Sequence, residues 1–128
     1  MRTAEDVESF LIRMGQPYED LGNGMFVLHD DNRPGDVAIK VEDPIVVFRA
    51  KVMELPLARR EELYRTLLDM NAREMVHGAY GIEDDAIVMT EAMPLENLDF
   101  NEVQAVLDDF ALAISKHLPR LRTFHTAS

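Results

Sequence analysis

The chain has 128 residues, a net charge of −11, no cysteine and a hydrophobic fraction of 47%. This composition is typical of a globular protein, and it excludes a disordered chain, a disulfide framework and a cysteine nucleophile. The negative charge argues against binding to nucleic acid or to anionic membranes, because their phosphate groups are repelled. We expect a soluble, cytoplasmic, single domain over residues 1–128, with no signal peptide and no membrane span.

The first predicted element is a helix from about Ala4 to Met14. Thr3 is suited to the N-cap, and the helix dipole favours the negative charge of Asp6 in the first turn. Gly15 and Pro17 provide the stop. The apolar residues recur at positions i, i+3, i+4 and i+7, on one helical face: Val7, Phe10, Leu11 and Met14.

Four strands are predicted next, linked by short turns. Gly22-Asn23-Gly24 favours the first turn, since these residues tolerate positive φ. Asp30 to Asp36 is interpreted as a second turn, and Asp43-Pro44 as a short break. The strands are expected at Tyr18–Leu21, Met25–His29, Val37–Glu42 and Ile45–Met53.

A second helix is predicted from about Ala58 to Glu74. It is followed by a hairpin of Gly78–Glu83 and Ala86–Met93 around Asp84-Asp85. Short links between strands favour antiparallel neighbours. This hairpin is therefore expected to extend the same sheet.

The last predicted helix begins after Asp99, with Glu102 placed to complete a capping box. Pro119 is expected to end this helix and to leave residues 119–128 loose. The predicted fold class is α+β, an antiparallel sheet with helices in the order α-β-β-β-(β)-α-β-β-α. The first short strand is also open to interpretation as an extended lead-in.

Segments in the second half of the chain carry a family resemblance: Leu67–Asn71, Gly78–Ile82, Ala92–Asp99, Glu102-Val103 and Val106-Leu107. They resemble the YbjN domain family, which is associated with bacterial sensory transduction and related in fold to the class I type III secretion (Tir-type) chaperones. Met93-Pro94-Leu95 matches the "LPL" segment that precedes the last helix of those chaperones. The resemblance implies a homodimeric, non-enzymatic domain. In the chaperones, the second helix and neighbouring strands form the dimer contact, and apolar grooves on the sheet hold an unfolded effector segment.

No catalytic residue, metal site or cofactor is predicted. His29, His77, His117 and His125 form no His-Glu-x-x-His pattern. The loop Asp30–Asp36 begins like a calcium-binding EF-hand, but Pro34 and Val41 stand at its fifth and twelfth positions, where ligands are needed. Glu83, Asp84 and Asp85 are interpreted as solvated charge at a hairpin tip, and Asn71 as an amide that is hydrogen-bonded within the fold.

Two surfaces are candidates for binding. The expected dimer contact is the apolar stripe of the second helix: Leu63, Tyr64, Leu67 and Leu68. Ile45 to Phe48 are apolar on both faces of their strand, so a face left uncovered would be an exposed patch. We expect Met25, Val46 and Phe48 to contact a partner there; the same pattern also fits a strand buried between the protein's own helices.

The sequence thus predicts a non-enzymatic protein-binding module, a chaperone or regulatory adaptor whose protein partner is unidentified. The alternative is a sensory regulator that binds a small ligand between the sheet and a helix.

Overall fold

The helices and strands follow the order expected from the sequence. The structure is a computed structural model that describes residues 3–29 and 36–126. The elements are α1 (Ala4–Met14), β1 (Tyr18–Gly22), β2 (Met25–Leu28), β3 (Val37–Glu42), β4 (Ile45–Glu54), α2 (Arg60–Arg73), β5 (Ala79–Glu83), β6 (Ala86–Pro94) and α3 (Phe100–Thr126). The α+β fold is confirmed, and its first short segment is a paired strand. The loop with the incomplete calcium spacing lies, up to residue 35, outside the described residues.

The expected helix ends rest on specific hydrogen bonds. The Asp6 carboxylate accepts the backbone N–H of Thr3 at 2.8 Å, and Gly15 ends α1 with a left-handed φ of 70°. At α3, the Glu102 N–H donates to Asp99 Oδ1 at 2.8 Å, and the Asp99 N–H donates to Glu102 Oε1 at 3.1 Å. These bonds satisfy N–H groups that a helix start leaves without partners.

The six strands form one antiparallel sheet in the order β1-β2-β3-β4-β6-β5. Asn23 has a φ of 56°, and Asp84 and Asp85 have φ of 50° and 61°, so both predicted hairpin turns use positive-φ residues. The long strand β4 lies inside the sheet, whereas β1 and β5 are its edges.

The alternation of side chains along β4 decides which face is covered. Val46, Phe48 and Ala50 are buried, and they pair with Val41, Ile39 and Val37 of β3 on the same face. Apolar residues of all three helices join this cluster: Val7, Leu11, Leu63, Leu67, Met70, Val103, Val106, Leu107, Phe110, Ile114 and Leu121. In the part of the chain that the structure describes, the helices therefore lie against one face of the sheet only.

The position of α2 differs from expectation. We expected the apolar stripe of α2 to form a dimer contact, but Leu63, Leu67 and Met70 are buried in the core. Burial of three large apolar side chains stabilises the fold by several kcal/mol, about 1.5–3 for each. Helix α2 is therefore part of the protein's own covering layer.

The expected end of α3 at Pro119 is wrong, because the helix continues to Thr126. Leu121 and Phe124 are buried in the core. Proline cannot donate to the carbonyl of Ser115, one turn earlier. Both residues lie on the exposed side of the helix, where water can bond that carbonyl. Burial of the next turn therefore outweighs the local cost of the proline.

Candidate functional site

The face of the sheet that lies away from the helices is the first candidate surface, and we call it the open face. Val47 in β4 lies opposite Lys40 and Ala92, and Arg49 lies opposite Ala38 and Thr90. Met25 of β2 lies opposite Lys40. Together with their neighbours these residues define the open face: Met25, Val27, Ala38, Lys40, Val47, Arg49, Lys51, Thr90 and Ala92.

Two hollows lie on this face and meet at Arg49. One measures about 270 Å³ and is lined by Met25, Ala38, Lys40, Glu42, Val47 and Arg49. The other measures about 240 Å³ and is lined by Arg49, Lys51, Glu83, Asp84, Ala86 and Val88. Small and aliphatic side chains form much of the floor, so an added chain can approach the sheet closely.

The cations of the open face are held by weak or local contacts. Arg49 and Glu83 form an ion pair at 3.2 Å with side chains 48% and 46% exposed. The Lys40 amine donates to the backbone carbonyl of Asn23 at 2.6 Å, and Lys51 pairs with Glu54. Ion pairs this exposed contribute about 0–1 kcal/mol, so the charges remain available to a partner.

The structure divides the three residues expected to contact a partner. Val46 and Phe48 are 0% exposed and face the helices, so the exposed patch expected at these side chains is absent. Met25 is half-buried on the open face. The apolar run Ile45 to Phe48 does not show which face of the strand is buried, because it places apolar residues on both faces. Arg49 is the residue that could have separated the two faces, because it lies on the same side of the strand as Val47. Val47 was not among the residues expected to contact a partner.

A second surface is the groove between α2 and the edge strand β5, which we call the α2–β5 groove. It measures about 170 Å³ and is lined by Tyr64, Leu67, Leu68, Asn71, Tyr80, Gly81 and Ile82. Leu68 is 67% exposed and Tyr64 is half-buried, while Leu63 and Leu67 are buried. Of the expected dimer contact, Tyr64 and Leu68 thus retain surface that a second subunit can reach.

Hydrogen bonds beneath the α2–β5 groove tie three elements together. The Asn71 Oδ1 accepts the Tyr80 N–H at 2.7 Å, and Asn71 Nδ2 donates to the Tyr80 carbonyl at 3.1 Å, which confirms the expected satisfied amide. The Tyr80 hydroxyl lies 2.8 Å from His117 Nδ1, and His117 Nε2 lies 3.3 Å from Glu74 Oε1. Arg120 donates to Glu74 at 3.0 Å. The bonds join α2, β5 and α3.

The hydrogen bonds that join Tyr80, His117 and Glu74 form a network inside the fold. His117 is 1% exposed, and both of its ring nitrogens are occupied within the fold. Burial raises the pKa of Tyr80, which makes its phenolate less accessible. The hydrogen bond from Arg120 lowers the pKa of Glu74 and keeps it as a carboxylate. Neither ring nitrogen of His117 is therefore free to act as a base toward a bound molecule.

Residues 3–29 and 36–126 contain no group of three or more side chains placed to hold a metal ion. His77 Nδ1 lies 2.5 Å from Asp109 Oδ2, a pair that sequence reasoning did not anticipate because the residues are far apart in the chain. No helix in the described ranges has the length and apolar character needed to cross a membrane.

Comparison with known proteins places this arrangement in a family. The family model CesT_Tir_1 matches residues 1–127. No curated protein matches the chain. YbjN from E. coli superposes with a TM-score of 0.68 and 14% identity, covering 94% of this chain and 96% of YbjN.

Two structures from type III secretion systems are also similar. A chain of the heterodimeric ExoU–SpcU complex of Pseudomonas aeruginosa has a TM-score of 0.72 and 13% identity, covering 88% of this chain and 95% of its own. The structure of the Yersinia pestis secretion chaperone SycH with a YscM2 fragment gives a TM-score of 0.66 and 13% identity, covering 88% and 97%. The chain belongs to the CesT_Tir_1 family and has the fold seen in YbjN and in the type III secretion chaperones.

Proposed function

We propose that this chain is a non-enzymatic, chaperone-like protein-binding module that holds an extended segment of a partner protein against its open face. The observation that carries the proposal is the sheet itself, which among residues 3–29 and 36–126 is covered by helices on one face only. The ExoU–SpcU and SycH–YscM2 structures are complexes of a protein with a protein partner, which supports the same kind of role here.

The chemistry of the open face suits an extended chain. Val47 and Met25 offer aliphatic contact, and the small side chains of Ala38 and Ala92 leave room above the sheet. An extended segment places alternate side chains on one side, so successive inward residues can enter the two hollows. Burial of apolar surface on both partners then stabilises the complex.

A homodimer through the α2–β5 groove is the second part of the proposal. Leu68 and Ile82 are exposed at the rim of the groove, and Leu67 lies in its floor. β5 is a sheet edge, but Asn71 bonds the Tyr80 backbone groups there, so the contact rests on the apolar side chains of the groove. This surface is separate from the open face, so a dimer leaves both open faces accessible. Residues 1–128 act as one domain in this account.

The alternative of a small-ligand sensor receives less support. The hollows described above measure about 170–270 Å³ and open widely to the surface. Typical small-molecule sites enclose roughly 300–1,000 Å³ and bury most of the ligand. An extended protein segment can span two shallow hollows and does not need the enclosure that is typical of a small-molecule site.

The test is co-purification from the native host with three tagged proteins: wild type, Val47→Asp and Gln104→Asp. Gln104 is exposed on α3, away from the sheet, so its variant adds the same charge elsewhere. We expect wild type and Gln104→Asp to recover the same protein in stoichiometric amount and Val47→Asp to lose it. Folding of each variant is checked by circular dichroism. A folded Val47→Asp that recovers the partner as well as wild type contradicts the proposal.

A further inference from the structure

We infer that the partner segment carries a carboxylate side chain that binds Arg49, two positions from an aliphatic residue that packs on Val47. The inference rests on the proposed function and names the chemistry of its partner. It starts from an unequal distribution of charge: the chain has a net charge of −11, yet Lys40, Arg49 and Lys51 all lie on the open face.

This distribution limits where an acidic segment can bind. The cations of the open face lie at its centre, on the inner strands β3 and β4. The acidic residues of this face lie toward its ends and edges: Glu19, Glu42, Glu54, Glu83 and Asp84. Charge complementarity therefore directs a carboxylate of a bound segment to the centre of this face.

Arg49 is the cation best placed to bind the carboxylate. It lines both hollows, so a segment that occupies both must pass it. Its ion pair with Glu83 is about half exposed on each side and contributes little, so a partner carboxylate can replace Glu83. Lys40 is bonded to the Asn23 carbonyl, and Lys51 to the nearby Glu54. Arginine also offers two parallel N–H donors to one carboxylate.

The spacing follows from strand geometry. Val47 and Arg49 point to the same side of β4 and lie about 7 Å apart. A partner segment that runs along β4 has the same repeat, so a residue over Val47 and one over Arg49 are two positions apart. The recognised pattern is aliphatic-x-acidic, in either chain direction. Phosphate-rich polymers fit this face less well, because the whole molecule repels them.

The experiment selects binders from a displayed random library of peptides of about ten residues, the length of a long strand. Wild type, Arg49→Gln and Arg122→Gln are used as targets at low salt. Arg122 is exposed on α3, so its variant removes the same charge elsewhere. We expect wild type and Arg122→Gln to enrich aliphatic-x-acidic peptides, and Arg49→Gln to lose the acidic preference.

One enriched peptide and its Asp→Asn (or Glu→Gln) version are then titrated against the same three proteins. On wild type and Arg122→Gln, loss of the charge is expected to weaken binding about tenfold or more, the effect of one charge-assisted hydrogen bond. On Arg49→Gln the two peptides are expected to bind equally. Equal binding of the two peptides to wild type overturns the inference but leaves the proposed function intact. Failure of wild type to enrich any peptide, or peptides whose binding survives Val47→Asp, overturns both.

Discussion

Val46 and Val47 are neighbours in β4 with identical side chains and opposite surroundings. Val46 faces the helices with 0% exposure, and Val47 is half-buried on the open face. A carboxylate at position 46 is buried without a partner, whereas at position 47 it reaches water. We expect Val46→Asp to lower the free energy of unfolding by about 4 kcal/mol or more, and Val47→Asp by about 1 kcal/mol.

Urea denaturation followed by circular dichroism measures both variants. Both positions carry valine, lie in β4 and receive the same substitution. The difference between the two losses of stability therefore depends on the face of the sheet on which each residue lies. Equal losses of stability in the two variants are incompatible with helices on one face only.

Tyr80 makes the stability of the protein depend on alkaline pH. Burial raises its pKa above the ordinary tyrosine value of 10.0. The stabilisation linked to its neutral form is therefore complete below about pH 10 and is lost as the pH rises toward the folded-state pKa. We expect wild type to lose stability progressively above about pH 10, and Tyr80→Phe to lose less over the same range.

Chemical denaturation at several pH values tests this expectation. Tyr80→Phe also leaves His117 Nδ1 without its hydroxyl partner, so the variant should be less stable than wild type by about 1–3 kcal/mol near neutral pH. Tyr18, whose pKa is raised by its hydrogen bond to Glu8, titrates in both proteins and cancels in the comparison. Parallel alkaline profiles for the two proteins contradict the role assigned to Tyr80.

At the scale of elements, α3 owes its length to the core. Leu121 is 0% exposed and lies after Pro119, while the adjacent Arg122 is exposed. We expect Leu121→Ala to cost about 2–5 kcal/mol through the cavity it leaves, and Arg122→Ala to change stability by less than about 0.5 kcal/mol. Urea denaturation of both variants measures the difference. A negligible effect of Leu121→Ala shows that the last two turns do not belong to the fold.

Local chemistry predicted the elements but not their packing. The cap formed by Asp99 and Glu102 and the turn at Asp84-Asp85 depend on neighbouring residues, and both are confirmed. Continuation past Pro119 depends on burial of a later turn, which no local rule contains. The stripe of α2 was read correctly as apolar, but an apolar stripe does not distinguish the buried Leu67 from the exposed Leu68.

At the scale of the whole molecule, the two candidate surfaces are proposed to have separate roles. The α2–β5 groove is proposed to join two copies, and Leu68 is exposed at its rim. We expect wild type to sediment as a dimer at tens of micromolar, a range that detects even weak association. Leu68→Asp should sediment as a folded monomer, because the new charge must be desolvated in the contact. A monomeric wild type at that concentration contradicts the dimer.

The central claim is that a partner segment lies on the open face, and site-specific photo-cross-linking tests it most directly. A benzoylphenylalanine replaces Val47 on the open face or Leu112, which is 69% exposed on α3, in otherwise wild-type protein. Irradiation of the complex with the co-purified partner is followed by mass spectrometry. We expect cross-links to an extended partner segment from position 47 and none from position 112. Cross-links from position 112, with none from position 47, contradict the account.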